Sequence, residues 1–193
     1  MLKVSEFSKK FEIRKLSIED IDEIYNLCLT NPLYYEYCPP APTKESVLED
    51  LFALPPNVAM EDKYFVGFFE KGRMVALMDL IDGYPEDKIA FIGFFMTDAS
   101  VQNKGLGSEI ISELADYLRS INYLAIRLAW AKGNPQPEHF WLKNGFYAIK
   151  ETSSTAAARV IITEKKLLFV FSFNSHVRVI SINYYDSGLI NSK

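Results

Sequence analysis

The stretch TDASVQNKGLGSEIISELADYL, residues 97–118, runs from the end of an apolar segment through a polar loop with two glycines into a patterned helix. In its second half Ile110, Ile111, Leu114, Tyr117 and Leu118 share one face of a 3.6-residue period, so the helix begins near Gly107. The first turn of a helix leaves its N–H groups without intrahelical partners and carries the positive end of the helix dipole. Glycines there let a backbone or a phosphate approach closely. QNKGLGS thus reads as an anion cradle, although a glycine-ended loop before a helix is often only a turn.

Outward from this loop the chain alternates between strand and helix signals. IAFIGFFM (residues 89–96) is a buried run, and two further runs, 64–69 and 74–81, form a hairpin joined at Glu70-Lys71-Gly72-Arg73. Nearer the N-terminus, residues 11–16 alternate like a half-buried strand. A helix capped by Ser17 then carries Ile21, Ile24, Tyr25 and Cys28 on one face. The prolines of NPLYYEYCPPAP (residues 31–42) argue against a regular helix and make it an aromatic loop. Thr43 caps a second helix carrying Val47, Leu48 and Leu51. Downstream lie a strand at 123–130, a short helix around PEHFWLKN, and strands at 146–151 and 158–167. The order, β-α-α-β-β-β-α-β-α-β-β, is that of a mixed α/β chain of the α+β class.

The chain has 193 residues, 49% hydrophobic, enough for one substantial core. Its 21 basic and 25 acidic residues give a net charge of -4 with no basic cluster, so nucleic acid is a poor partner. Cys28 and Cys38 form no CxxC and no histidine stands at ligand spacing, so neither a disulfide framework nor a metal site is indicated. With no signal-peptide pattern and no run of about 18 apolar residues, a cytoplasmic protein without membrane association is expected.

Two nucleotide motifs fail. A P-loop needs GxxxxGK[ST], and the dinucleotide fingerprint needs a third glycine where Ile110 stands. What remains is Q-x-x-G-x-G, Gln102 to Gly107, after a buried strand, followed downstream by NPQPEHFWLKNGF, residues 134–146. Together these resemble the R/Q-x-x-G-x-G/A acyl-CoA motif and the N-x-x-A-x-x-F-Y-x-K-x-G-F segment of the GNAT N-acetyltransferase superfamily. Asn134, Phe140, Lys143, Gly145 and Phe146 stand at matching places. The resemblance covers residues 11–167, so residues 1–167 are taken as the acetyltransferase domain and 168–193 as a C-terminal extension. The extension alternates like an added strand or hairpin whose edge can pair with a second subunit, giving a homodimer. A terminal extension without function is the other reading.

The resemblance implies a GNAT-like mixed, mostly antiparallel twisted sheet of about seven strands, flanked by about four helices and splayed between the fourth and fifth strands. It implies acetyl-CoA as cosubstrate and no metal. Backbone groups of Phe95, Met96 and Thr97 would bond the pantetheine arm, and one N–H near Phe95 or Met96 would polarise the thioester carbonyl. Gln102, Asn103, Lys104, Gly105, Leu106, Gly107 and Ser108 would hold the pyrophosphate. Asn134 would bond the cofactor from the next strand, with Phe140, Trp141 and Lys143 lining its path.

The reaction implied is attack of an amine on the thioester in a ternary complex. Trp141 stands where the family often has a tyrosine acid, and an indole N–H does not give up its proton at physiological pH. A thiolate, whose acid has a pKa near ~8.5, leaves without one. Asp79, among apolar residues at the end of MVALMD, is the candidate base, against the plainer reading of a solvated strand-end carboxylate. Asp98, Glu138 and His139 are weaker alternates. Tyr34, Tyr35 and Tyr37 offer aromatic faces to an acceptor and Glu36 a partner for its ammonium, or the loop is simply sealed onto the core. The acceptor is a small-molecule or protein amine. The alternative function is a CoA-binding regulatory module of the same fold with little or no catalysis.

Overall fold

Alternation along the strands decides which side of the sheet each residue faces, and both sides are apolar. In β2 (Lys63–Glu70), Tyr64, Val66 and Phe68 enter one buried cluster, while Phe65 and Phe69 enter the other. The first cluster is completed by Ile110, Ile111, Leu114 and Leu118 of α4 (Leu106–Ser120), the second by Ile24, Leu27 and Cys28 of α1 (Ile21–Leu29) and Val47 and Leu51 of α3 (Lys44–Phe52). Helices therefore cover both faces.

The computed structural model describes residues 1–153 and 159–167. The tail from residue 168, with its expected strand or hairpin, lies outside the described residues. The sheet is mixed and open, with seven strands in the order β1-β2-β3-β4-β5-β7-β6. From β1 (Glu12–Lys15) through β2, β3 (Arg73–Asp82) and β4 (Ile89–Thr97) it is an antiparallel meander. β5 (Ala125–Ala131) runs parallel to β4, with α4 as the crossover that a parallel pair requires. β7 (Arg159–Lys166) then lies between β5 and the edge strand β6 (Tyr147–Ser153), antiparallel to both. The β2–β3 turn uses Lys71 and Gly72, both at positive φ, as two-residue hairpins favour.

Local signals set the helix starts. Ser17 and Asp20 form a capping box ahead of α1, and Thr43 and Ser46 form one at α3. One expectation fails: residues 32–37 are not an irregular loop but a short helix, α2 (Pro32–Tyr37), which with α5 (Pro135–Lys143) makes five helices among the described residues. Pro32 occupies the first turn, where a missing N–H costs nothing, and Pro39 follows only after the helix has ended. No helix among the described residues is long and apolar enough to cross a membrane.

Two irregularities of β4 open the sheet at its centre. Its pairing with β3 shifts register between Asp79 and Leu80, so Gly93 bulges out; Ile92 and Phe94, two apart, then face opposite clusters. Its pairing with β5 covers only Ile89 to Ile92. Beyond Ile92 the two strands diverge, as expected for a sheet splayed between its fourth and fifth strands.

Candidate active site

The divergence leaves backbone groups of residues 93–97 without a strand partner on the β5 side, and a cavity of about 440 Å³ opens there. Its walls are the free half of β4, the end of β5, the loop Val101–Ser108, part of α5, and Asn31, Tyr34 and Cys38 beside α2. Of the residues expected to hold a cofactor, Phe95, Met96, Thr97, Gln102, Asn103, Gly105, Leu106, Gly107, Ser108, Asn134, Phe140, Trp141 and Lys143 line it. Lys104 does not; its Nζ donates to the Ser100 carbonyl at 2.8 Å.

The cradle is a backbone device. Asp98 caps the turn Ala99–Val101, Asn103 and Gly105 take positive φ (60° and 84°), and α4 starts at Leu106 without a side-chain cap. The first intrahelical bond is from Glu109 N to Gly105 O, so Leu106, Gly107 and Ser108, which line the cavity, have amides outside the intrahelical ladder. The two glycines serve different ends. A Cβ at Gly105 meets nothing within 4 Å, so the left-handed backbone is the reason for glycine there. A Cβ at Gly107 would lie 3.2 Å from the Phe140 ring, so glycine there lets α4 pack on α5.

Phe140 stacks on Phe95 at 6.0 Å, and Trp141 sits edge-on to Phe140 at 4.8 Å and to Phe146 at 5.0 Å. Trp141 is buried, so the same ring is both cavity wall and core. Asn134 caps α5: its Oδ1 accepts from Gln136 N at 3.1 Å, leaving its side-chain nitrogen without a partner among the described residues.

The residues expected to carry chemistry separate. Asp79 does not line the cavity but lies directly behind the Gly93 bulge, where a Cβ on Gly93 would come within 2.9 Å of its Oδ2. That oxygen accepts from Lys63 Nζ at 2.7 Å, and Lys63 also donates to the Ala53 carbonyl at 2.9 Å. Oδ1 is buried with no partner among the described residues. Burial pushes the Asp79 carboxyl up and Lys63 pulls it part of the way back. Asp98 is pushed up by burial too, but hydrogen bonds from Ser100 and Arg73 outweigh this and hold it below the usual range. An acid so committed is a poor base. Glu138 is exposed away from the cavity, whereas His139 is exposed on its rim.

Of the four residues expected to face an acceptor only Tyr34 lines the cavity, edge-on to Phe94 at 5.4 Å. The Tyr35 hydroxyl turns inward to the Cys28 thiol, while Glu36 and Tyr37 are exposed beyond the cavity. Burial pushes both the Tyr34 phenol and the Cys38 thiol up, the Tyr34 hydrogen bond pulling Cys38 part of the way back. The sequence reading missed Asn31, Gly93 and Lys63. A lone glycine inside a strand pattern is a bulge signal and Asn before Pro a cap signal, but nothing local marks Lys63.

The model of the acetyltransferase (GNAT) family matches residues 18–146. The chain belongs to that family. The GNAT fold is also found in similar solved structures. The acetyltransferase of Thermus thermophilus superposes with a TM-score of 0.69 at 19% identity, covering 81% of this chain and 97% of its own. PaiA N-acetyltransferase from Thermoplasma acidophilum, in complex with coenzyme A, gives 0.59 at 22%, covering 81% and 98%. A Vibrio cholerae spermidine N-acetyltransferase chimera gives 0.61 at 18%, covering 82% and 96%. No curated protein matches the sequence.

Proposed function

We propose that this GNAT protein is an acetyl-CoA-dependent N-acetyltransferase acting on a primary amine of a small molecule or protein. The observation that carries the reading is the junction of splay and cradle: unpaired backbone on β4 leads straight to the uncapped first turn of α4 within one cavity. The residues fit the group. Amides of Leu106, Gly107 and Ser108 match a pyrophosphate, and Asn103 and Gly105 give the turn that aims them. Free β4 backbone at Phe95 and Met96 matches the amides of an extended arm, as an added strand would, with Thr97 contributing only its N–H because Asn31 and Gln102 hold its carbonyl, and the Asn134 nitrogen adds a donor. Phe140, Trp141 and Lys143 bound the channel.

Bound acetyl-CoA supplies an activated acetyl thioester. The protein then has to stabilise the carbonyl oxygen, take a proton from the attacking nitrogen and let the thiolate go. An N–H of Phe95 or Met96 faces the developing charge. Asp79 receives the proton through a water entering at the Gly93 bulge, where glycine places no side chain against the carboxylate. Trp141 donates no proton, and the thiolate departs as the stable anion of a weak acid. Tyr34 walls the acceptor side, with the exposed Glu36 and Tyr37 of the same short helix beside its approach and Tyr35 anchoring that helix at Cys28. In this reading residues 1–167 are the acetyltransferase unit of a cytoplasmic protein and 168–193 an extension able to join two copies.

Calorimetric titration with acetyl-CoA, against ATP, tests the reading. Saturation at micromolar concentration with ATP silent is expected, followed by thiol release with members of an amine panel. Absence of binding by folded protein would remove it. Binding without transfer to any amine would favour the regulatory module, to which Trp141 and the Lys63 bridge on Asp79 already lend some weight.

A further inference from the structure

Asn31 stands between the two halves of the cavity, and neither cofactor binding nor acetyl transfer calls on it. Its Nδ2 donates to the carbonyl of Thr97, the last residue of β4, at 3.1 Å. It also donates back to α1, to Leu27 O at 3.2 Å, and to Thr30 Oγ1 at 2.9 Å. Its Oδ1 accepts from Gln102 Nε2 at 2.6 Å, and Gln102 shares the Thr97 carbonyl at 3.2 Å. Thr30 reinforces the join by accepting from Ala99 N at 3.1 Å. Asn31 is at the same time the residue from which α2 starts, its carbonyl taking the amide of Tyr34 at 3.1 Å.

The first residue of the Q-x-x-G-x-G motif is therefore tied by its side chain to the base of the helix that carries the acceptor wall. The Gln102 Nε2 is spent on Asn31 and Thr97, and its backbone N–H on the Ala99 carbonyl at 3.3 Å. Besides this join, α2 is held by Tyr34 and Tyr35, which pack half-buried on the second core cluster; it has six residues, no side-chain cap at its start and no fully buried side chain. A short helix of that kind gains its order from its attachments. Ordering at one site that is transmitted to another through such an attachment is a coupling free energy and must act in both directions.

We infer that Asn31 is a positioning residue that couples the two sites: occupation of the cradle holds Gln102 and Thr97 in place, and through Asn31 this fixes α2 and the Tyr34 wall. The inference rests on the cradle binding coenzyme A, which the proposed function requires.

Hydrogen exchange of the α2 amides, with and without saturating free coenzyme A, tests it. In the wild-type protein, coenzyme A should slow exchange of the segment 33–38 by about tenfold, within the usual range of couplings between sites. In Asn31→Ala the slowing should fall below about twofold, and coenzyme A affinity should weaken by no more than the coupling lost. Asn31→Asp is the second variant: it keeps an acceptor for Gln102 but sets an oxygen against the Thr97 carbonyl, and it should lose the effect as well. Full protection of α2 in either folded variant would mean that the ligand shields the helix directly, and would overturn the inference. Coenzyme A binding that leaves wild-type α2 exchange unchanged would overturn it alone, while failure of the wild-type protein to bind coenzyme A would overturn it together with the proposed function.

Discussion

The two sides of the cavity are built from different materials. On the cradle side the groups on offer belong to the backbone: amides at the head of α4, a left-handed Gly105, and the strand edge that β5 abandons after Ile92. On the α2 side they are side chains already engaged with one another: Tyr34 with Cys38, Tyr35 with Cys28, Lys63 with Asp79. A backbone site requires a local conformation, which a few consecutive residues specify. A side-chain site requires residues from several elements to meet, which no single segment specifies. This is why one half of the cavity has a motif and the other does not.

The contrast is tested most severely at Lys63. Its side chain is 1% exposed and that of Asp79 14%, so Lys63→Met leaves a buried carboxylate unpaired. Chemical denaturation at neutral pH should show a loss of about 3–5 kcal/mol. The loss should shrink on acidification. The folded Asp79 pKa is already raised, so its favourable share of stability is complete below the unfolded carboxylate pKa and is lost as pH rises through the folded value. Removing Lys63 raises that folded value further, widening the window. A deficit that stays constant with pH would show that Lys63 acts through packing.

Asp79→Asn tests the chemistry on the same side. With an accepted amine, kcat should fall about hundredfold and the acidic limb of the pH–rate profile should vanish, while acetyl-CoA affinity stays near wild type. An unchanged acidic limb would return Asp79 to a structural role. On the cradle side, Gly105→Val forces a β-branched residue to φ near 84°, at a cost of about 1–2 kcal/mol, and acetyl-CoA binding measured by calorimetry should weaken at least about tenfold. Gly107→Val should differ, because it displaces Phe140; beside the weaker binding, its signature is a disturbed Phe140–Trp141 packing read in the near-ultraviolet circular dichroism, which Gly105→Val should leave unchanged.

The smallest effects are expected within α2. Tyr35→Phe should cost about 1 kcal/mol of stability, from the lost contact with Cys28, and leave the acceptor KM alone. Tyr34→Phe should move the acceptor KM a few-fold. Equal behaviour of the two would mean that α2 does not separate a core-facing from a cavity-facing tyrosine.

The order of strands and helices was legible from alternation, caps and glycines, with α2 hidden because Pro32 reads as a breaker unless its place in the first turn is known. The residues expected at the glycine turn line one cavity, except that Lys104 turns to Ser100. By itself the sequence determined what depends on neighbours along the chain: the two-faced strands, the helix starts, the glycine turn before α4 and the family they mark. Only the tertiary structure decided how far β4 and β5 stay paired, which of four adjacent residues in α2 faces the cavity, that Asn31 and Gly93 line it, and that Lys63 pairs with Asp79 behind it. Those outcomes hang on packing and hydrogen bonds between segments far apart in sequence, whose balance no single stretch of residues contains.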